Sequence, residues 1–475
     1  MHNYSLGESA QRHLQIIREH YEKSPAVRGA ALSYRRILAH YYNLIIPVGA
    51  SVLEIGCGSG ELLARLNTKS VQGIDLSENQ IQRARRNVPH GIFSVQVGEV
   101  LDMGGQTFDY IVVSDTLNLA ADVQQLFTQL QYCAHANTRL ILNFHSALWR
   151  PVLAVASAFR FRPVPPHSSW LASTDVRGLL ALTGWETIKI SPHILCPMGL
   201  AGIGGFANRW LAPLAPSFCL SVFSISRRRS SDQAKPVTVS VIIPARNEAG
   251  NIENAVLRTP EMGAGTELIF VEGHSTDNTW EEIHRIEAKY GAERKIKILR
   301  QSGKGKGNAV REGFAVAQGE ILMILDADLT MPPEELPKFH DAVAGGHCDF
   351  ANGCRLVYPM EGKAMQFLNL CANKIFGLLF SWLLRQHIKD TLCGTKVLTA
   401  DNYRKIAANR HYFGDFDPFG DFDLLFGADK LNLKIVDIPI RYRDRTYGET
   451  NIQRWKHGWL LLRMVLFAAR KLKFV

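Results

Sequence analysis

The run ILMILDAD places Asp326 and Asp328, one residue apart, at the end of a strongly apolar segment. Two carboxylates where a buried strand meets solvent can converge on a hard divalent cation, Mg2+ or Mn2+. Such an ion would bridge a diphosphate and neutralise the charge that builds on a nucleoside-diphosphate leaving group. A second constellation lies upstream. Gly56, Gly58 and Gly60 form G-x-G-x-G, Glu54 stands two residues before them, and Asp75 follows Gly56 by 19 residues. A dinucleotide-binding loop would need glycine at 61, where Glu61 stands. A carboxylate at position 54 suits a cationic ligand better than a pyrophosphate, which prefers a bare helix N-terminus. Asp75 is placed to take both hydroxyls of a ribose.

These residues need strand ends to hold them. Upstream, SVLEIG, VQGID, FDYIVVS and LILNF alternate with helix-like stretches, and downstream VTVSVIIP, ELIFVE, KIKIL and ILMILD do the same. Strands regularly separated by helices imply parallel sheets with helices on both faces, an α/β class. SVLEIGCGSGELLARL reads as strand, glycine turn and helix. The clearest break is RRRSSDQAKP, residues 227–236, basic, polar and closed by a proline. The expected organisation is therefore two consecutive Rossmann-like domains, 1–229 and 237–475, with a linker over 230–236.

The upstream set, from about Tyr42 to Arg229, resembles class I S-adenosylmethionine-dependent methyltransferases. The resemblance implies that Gly56, Gly58 and Gly60 let the backbone approach the methionine part, with Glu54 before them and Asp75 on the ribose. Glu99, after Gly98, matches the acidic position near the adenine, where that family more often has Asp. FDYIVVSD, ending at Asp115, matches the fourth strand, whose end faces the reacting methyl. Methyl transfer asks mainly for alignment, so Asp115 and His145 are acceptor-side candidates by position alone. The apolar, proline-containing stretch from Phe144 to Ser169 suits a cap over an acceptor pocket.

The downstream set, from about Val237 to Arg463, resembles the GT-A glycosyltransferases of family 2. By that resemblance Pro244, Asn247 and Glu248 form the first nucleotide-contacting loop. Glu272 and Asp277 match V-D-D-G-S-T-D, although this chain reads V-E-G-H-S-T-D, which leaves the base, uridine or guanosine, open. Lys306 falls on a loop that approaches the nucleotide, and Asp326 and Asp328 hold the metal. DTLCGTK, GDFDLLF and IPIRYRDRTYGET (residues 390–396, 420–426 and 438–450) resemble the polyprenyl-phosphate glycosyltransferases, such as dolichyl-phosphate mannose synthase, although GDFDLLF departs from G-F-D-x-E-L. Arg355 and Arg445 would hold phosphates of donor or lipid acceptor, for which a bidentate, permanently charged fork is suited. Asp421 and Asp423 are the candidates for the catalytic carboxylate. In an extended segment residues two apart share a face, and one would take a proton from a hydroxyl acceptor. A phosphate acceptor, already anionic, needs no base.

Length and charge frame these sites. The 475 residues suffice for two or three domains with large cores. Eight scattered cysteines, without a C-x-x-C pair, suit a reduced, cytosolic chain and exclude zinc ribbons. The N-terminus lacks the apolar region of a secretory signal. Net charge is +10, and after Glu449 only basic residues remain among the charged ones. A basic, apolar end points to an anionic surface. Without a zinc finger or RNA-recognition motif, that surface is membrane rather than nucleic acid. Trp455, Trp459, Leu462, Val465 or Leu466, and Ala469 recur at helical spacing, and Met365–Arg385 forms a second stripe. Both suit either core packing, against each other or the sheet, or a headgroup layer, and the resemblance to the polyprenyl-phosphate glycosyltransferases implies the membrane interface. The combined expectation is a bifunctional transferase, peripheral on the cytoplasmic membrane face. It would transfer methyl groups from S-adenosylmethionine and sugar from a nucleotide-sugar donor to a polyprenyl phosphate or other lipid-associated acceptor, in cell-envelope glycan or glycolipid synthesis. The alternative is a soluble glycosyltransferase acting on a glycan or metabolite hydroxyl, with a non-catalytic domain that senses S-adenosylmethionine.

Overall fold

The computed structural model describes residues 7–25, 27, 29–158, 169–198, 202–229, 236–358, 367–412, 422–445, 447 and 454–475. The chain divides into two compact units, one running to Arg229 and the other starting at Ser230.

The first unit runs α1 (Glu8–Glu22), α2 (Gly29–Ile45), β1 (Ser51–Ile55), β2 (Ser70–Asp75), α3 (Glu78–Asn87), β3 (Ile92–Val95), β4 (Phe108–Ser114), α4 (Val123–Leu130), β5 (Ala134–His145), α5 (Arg150–Ala158), α6 (Ser173–Leu182), β6 (Trp185–His193), α7 (Ile203–Phe206) and β7 (Ser221–Arg228). Its sheet has the order β3-β2-β1-β4-β5-β7-β6. The first five strands are parallel, while β7 runs antiparallel to both β5 and β6. Two apolar cores cover the two faces. One is centred on Val52, Val112, Ile141 and Phe223 with Tyr42 from α2, the other on Leu53, Ile111, Leu140 and Phe127. Helix starts follow local chemistry: Ser77 and Asp122 accept the N–H groups of Gln80 and Gln125, capping α3 and α4.

Two expectations change here. The sheet is mixed, because β7 returns from β6 without the crossover that a parallel neighbour requires. Residues 221–226, which carry no charge, supply most of that strand. The helix expected after the glycine loop is a single 3-10 turn, Leu63–Arg65. Arg227, at the start of the basic run, belongs to β7 and forms an ion pair with Glu186 of β6 at 2.9 Å. Of the expected acceptor cap, Arg150–Ala158 is helical and 159–168 lie outside the described residues.

The second unit runs β8 (Val239–Ala245), α8 (Ile252–Arg258), β9 (Thr266–Glu272), α9 (Thr279–Tyr290), β10 (Lys295–Arg300), α10 (Lys306–Val316), β11 (Ile321–Ile324), α11 (Leu336–Ala344), β12 (Phe350–Cys354), α12 (Phe367–Leu384), β13 (Lys396–Thr399), α13 (Ala400–Ala408), α14 (Phe422–Lys430), β14 (Ile435–Pro439) and α15 (Arg454–Leu472). The sheet order is β10-β9-β8-β11-β13-β12-β14, with β13 antiparallel to both neighbours. β8, β9 and β11 are buried almost throughout, as strands covered on both faces must be, whereas the edge strand β10 (KIKILR) is only partly covered.

Helices α12 and α15 pack against each other. The single stripe expected on α15 is in fact two. Leu461, Met464, Val465, Ala468 and Ala469 are buried, while Trp459, Leu462 and Leu466 stand outward at 63%, 37% and 56% exposure. Among the described residues no helix is long and apolar enough to cross a membrane.

Candidate active sites

In each unit most of the predicted residues lie near the carboxyl ends of parallel strands, close to where the strand order reverses. The chain lays β1, β2 and β3 outward in one direction, then returns to place β4 on the other side of β1. It does the same with β8, β9, β10 and β11. Loops diverge at such a point and leave a crevice between them.

In the first unit the glycine loop leaves β1 with Gly56, Gly58 and Gly60 at φ of +70°, +52° and +74°. A side chain at Gly56 would meet Thr116 Oγ1 at 2.4 Å, so the loop passes directly against the end of β4. Gly58 faces open space, and Gly60 lies against Ala84. Asp75, at the end of β2, accepts the N–H groups of Gly58 and Ser77, both at 2.9 Å, and so fixes the loop's shape. Burial raises its pKa and those N–H bonds oppose the rise. Glu54 is 2% exposed, and its Oε2 has no hydrogen-bond partner among the described residues. Burial pushes its pKa up to about 8 against the pull of Arg35, with Asp75 and Asp115 adding to the rise. An orphaned buried carboxyl oxygen behind an open glycine loop fits a cationic ligand such as the methionyl end of S-adenosylmethionine. Glu99 is also buried, and one of its oxygens accepts the N–H of Ala121 at 2.8 Å, which anchors the loop before α4.

Asp115 and His145 come together, joined by residues that carry no sequence motif. Tyr34 and Arg35 reach from α2 to Asp115, at 3.2 and 3.3 Å, and Asn143 of β5 donates to it at 2.6 Å. The only trace of this in the sequence is the spacing of Tyr34, Leu38, Tyr41 and Tyr42 along one helix face.

In the second unit, Lys306 Nζ lies 2.6 Å from Asp326 Oδ1. Arg445 forks between Asp328 at 2.6 Å and Glu248 at 3.2 Å. Thr330 donates its hydroxyl and N–H to the other oxygen of Asp328. Burial alone would raise the pKa of Asp326, but Lys306, supported by Lys396 and Arg355, holds it below the ordinary value. Burial raises that of Glu248 despite Asn251 and Arg445. Gly394 of the CGTK segment presses on this pair: a Cβ there would be 2.1 Å from Asp326 Oδ2. Pro244 closes β8, and beyond it Asn247, at φ +56°, accepts the N–H of Thr276. Glu272 ends β9 and accepts from Ser275 N–H, while Asp277 accepts from Thr279 at the start of α9.

Two expectations are changed by this geometry. Arg355 faces Asp390, which is fully buried, in a bidentate pair at 2.7 and 2.8 Å, and its guanidinium stacks over Tyr442. It braces the site from behind. Asp423 lies in the first turn of α14 and pairs with Arg410 at 3.1 Å, so the argument that it shares a face with Asp421 in extended chain does not hold. Asp421 lies outside the described residues.

Among the described residues no three His, Cys, Asp or Glu side chains gather as a metal cage. Asp326 and Asp328 nonetheless offer hard oxygen ligands, each now balanced by a cation of the chain itself. The donor chemistry fits a divalent ion shared with a diphosphate, which supplies ligands of its own.

Comparison with known proteins agrees with both units. Residues 46–160 match the model "Methyltransferase domain", and residues 240–406 match "Glycosyl transferase family 2". Over 224 residues the chain is 38% identical to a dolichol-phosphate mannosyltransferase of Pyrococcus furiosus, covering 45% of this chain and 59% of that protein. It is 25% identical to an undecaprenyl-phosphate 4-deoxy-4-formamido-L-arabinose transferase of Edwardsiella ictaluri, covering 45% of this chain and 62% of the relative. The chain thus spans less than two thirds of either relative. A SAM-dependent methyltransferase from Thermotoga maritima aligns with 47% of this chain and all of its own length, at 13% identity and a TM-score of 0.34. The chain joins a methyltransferase domain to a family 2 glycosyltransferase domain.

Proposed function

We propose that the second domain transfers a sugar from a nucleotide-sugar donor to a polyprenyl phosphate, and that the first transfers a methyl group from S-adenosylmethionine, both in the synthesis of a cell-envelope glycan or glycolipid. The observation that carries the sugar-transfer reading is the connected set Lys306, Asp326, Asp328, Arg445 and Glu248 at the reversal point of the sheet. The named activities of the Pyrococcus and Edwardsiella relatives support a lipid phosphate as acceptor. Asp326 and Asp328 would hold a Mg2+ or Mn2+ ion, which supplies charge neutralisation at the leaving diphosphate. Lys306 would face the donor phosphates, and the fork of Arg445 would be available to an incoming phosphate. Pro244, Asn247, Glu272 and Asp277 border the donor's nucleoside from the loops after β8 and β9. An acceptor phosphate attacks without a base, so neither Asp421 nor Asp423 is required as one.

Work at a lipid surface is supported by α12 and α15. Neither contains an acidic residue. Ile375, Leu378, Trp459, Leu462 and Leu466 are exposed, with Arg463 and Arg470 among them. Apolar side chains interleaved with basic ones suit the headgroup layer of an anionic membrane. In the first domain, Glu54, Asp75 and the loop from Gly56 to Gly60 would hold the cofactor, with Glu99 behind its adenine end.

The test is incubation with Mn2+, polyprenyl phosphate and a panel of labelled nucleotide sugars, followed by partition between organic and aqueous phases. Label in the organic phase that disappears with EDTA is expected. Donor consumption only when a glycan is added would replace the lipid acceptor by a hydroxyl.

A further inference from the structure

We propose that the polar cluster over the carboxyl ends of β4 and β5 is the acceptor end of the methyl-transfer site, built for a hydroxyl of a polyol such as a sugar, with His145 taking the hydroxyl proton. This rests on the reading that the first domain binds S-adenosylmethionine.

Position is the first argument. Asp115 is followed by Thr116, the residue packed against Gly56, so the cluster adjoins the glycine loop. Arg35 stands beside Asp115 and within electrostatic reach of Glu54, so one chain of charged groups runs from the cofactor carboxylate to the cluster. The second argument is construction. Tyr42 donates to Asn143 at 2.6 Å, Asn143 donates to Asp115 at 2.6 Å, and Ser221 of β7 lies 3.4 Å from the same amide. Asp115 is held at φ +53°, a conformation that costs a non-glycine residue free energy and that collects at functional sites. The network closes the inner side of the cluster while Asp115 and His145 keep 11% and 16% of their side chains accessible.

Chemistry selects the acceptor. The cluster is made of Tyr34, Arg35, Asp115, Asn143, His145 and Ser221, a mixed set of donors and acceptors that matches neighbouring hydroxyls better than an apolar thiol or carbon nucleophile. An alcohol must lose its proton as it attacks, and imidazole, with an ordinary pKa of about 6.5, is suited to take it near neutrality. The oxygen forms its bond to the methyl carbon as the carbon–sulfur bond breaks, the electron pair staying on sulfur. The proton passes to His145. Positive charge therefore leaves the sulfonium and appears on an imidazole whose Nε2 lies 3.8 Å from Asp115. Tyr34, 3.5 Å from the same nitrogen, and Arg35, paired to Asp115, approach it from α2. Asp115 is a positioning residue in this scheme.

The test uses the full chain with labelled S-adenosylmethionine and three probe acceptors: methyl α-mannopyranoside, propylamine and dithiothreitol. Methylation of the glycoside is expected, at a rate that rises with pH as an imidazole base loses its proton. His145→Gln should lower that rate by at least about 100-fold and flatten the pH profile, with S-adenosylhomocysteine binding unchanged in calorimetry. Asp115→Asn should shift the pH dependence. Label in the amine or thiol alone, or in none of the three while S-adenosylhomocysteine binds, overturns the hydroxyl assignment. A His145→Gln protein with wild-type rate and pH profile overturns the base. If S-adenosylhomocysteine does not bind, the reading of the whole domain fails instead.

Discussion

Glu54 shows how a single position couples folding to ligand charge. In an unfolded chain its carboxyl titrates near 4.3, and in the folded domain at about 8, mainly through burial. Between these values the folded state holds a proton that the unfolded state has lost, so its stability contribution is complete below the lower value and declines as pH rises towards 8. Thermal unfolding of the first domain should shift downward between pH 5 and 8, and Glu54→Gln should reduce that slope. A cationic ligand reverses the preference for the neutral form. S-adenosylmethionine binding at pH 7 is therefore expected to release protons, seen as buffer-dependent heats that vanish in Glu54→Gln. Arg355 makes the opposite case. Its partner Asp390 is fully buried and held below the ordinary carboxylate range because Arg355 more than offsets the penalty of burial. Removing one member leaves an uncompensated charge, so Arg355→Ala should cost roughly 3–5 kcal/mol in denaturant unfolding. A residue that touched only donor or acceptor would leave stability unchanged.

At the scale of elements, α15 carries apolar residues on both faces for different reasons. Met464 is 1% exposed and Leu466 is 56% exposed. Met464→Ala should destabilise the second domain by about 2–4 kcal/mol through lost packing and the cavity left behind. Leu466→Gln should change stability by less than about 0.5 kcal/mol, yet weaken sedimentation with phosphatidylglycerol vesicles, an effect increased by raising the salt concentration. Equal vesicle binding by the two variants would remove α15 from the membrane face. The helical period was legible in the sequence, but the period alone merged Val465 and Ala469 with Trp459 and Leu466. Only packing against α12 separates the inward row from the outward one.

At the scale of the whole molecule the two domains are expected to carry separable chemistry. Asp75→Ala should abolish methyl transfer and leave sugar transfer to polyprenyl phosphate intact. Asp328→Ala should do the reverse, removing metal-dependent sugar transfer with methyl transfer unchanged. Loss of sugar transfer in Asp75→Ala would favour a sensing role for the first domain.

Local sequence determined the strand-and-loop plan: continuous β-branched runs must be buried on both faces, and glycines or paired carboxylates at their ends mark where the backbone turns into a crevice. That suffices for Gly56, Asp75, Asp326 and Asp328, each adjacent in sequence to the strand that places it. Tertiary structure alone decided the partners. Tyr34 and Arg35 reach Asp115 across about 80 residues of chain, and Arg445 reaches Glu248 across 197. Such pairs follow from the stacking order of the strands, and a contact of that kind leaves no periodicity at either end. The antiparallel β7 and β13 were hidden for a related reason: strand direction is set by how the chain returns to the sheet, and the side-chain pattern of a buried strand is the same in both directions.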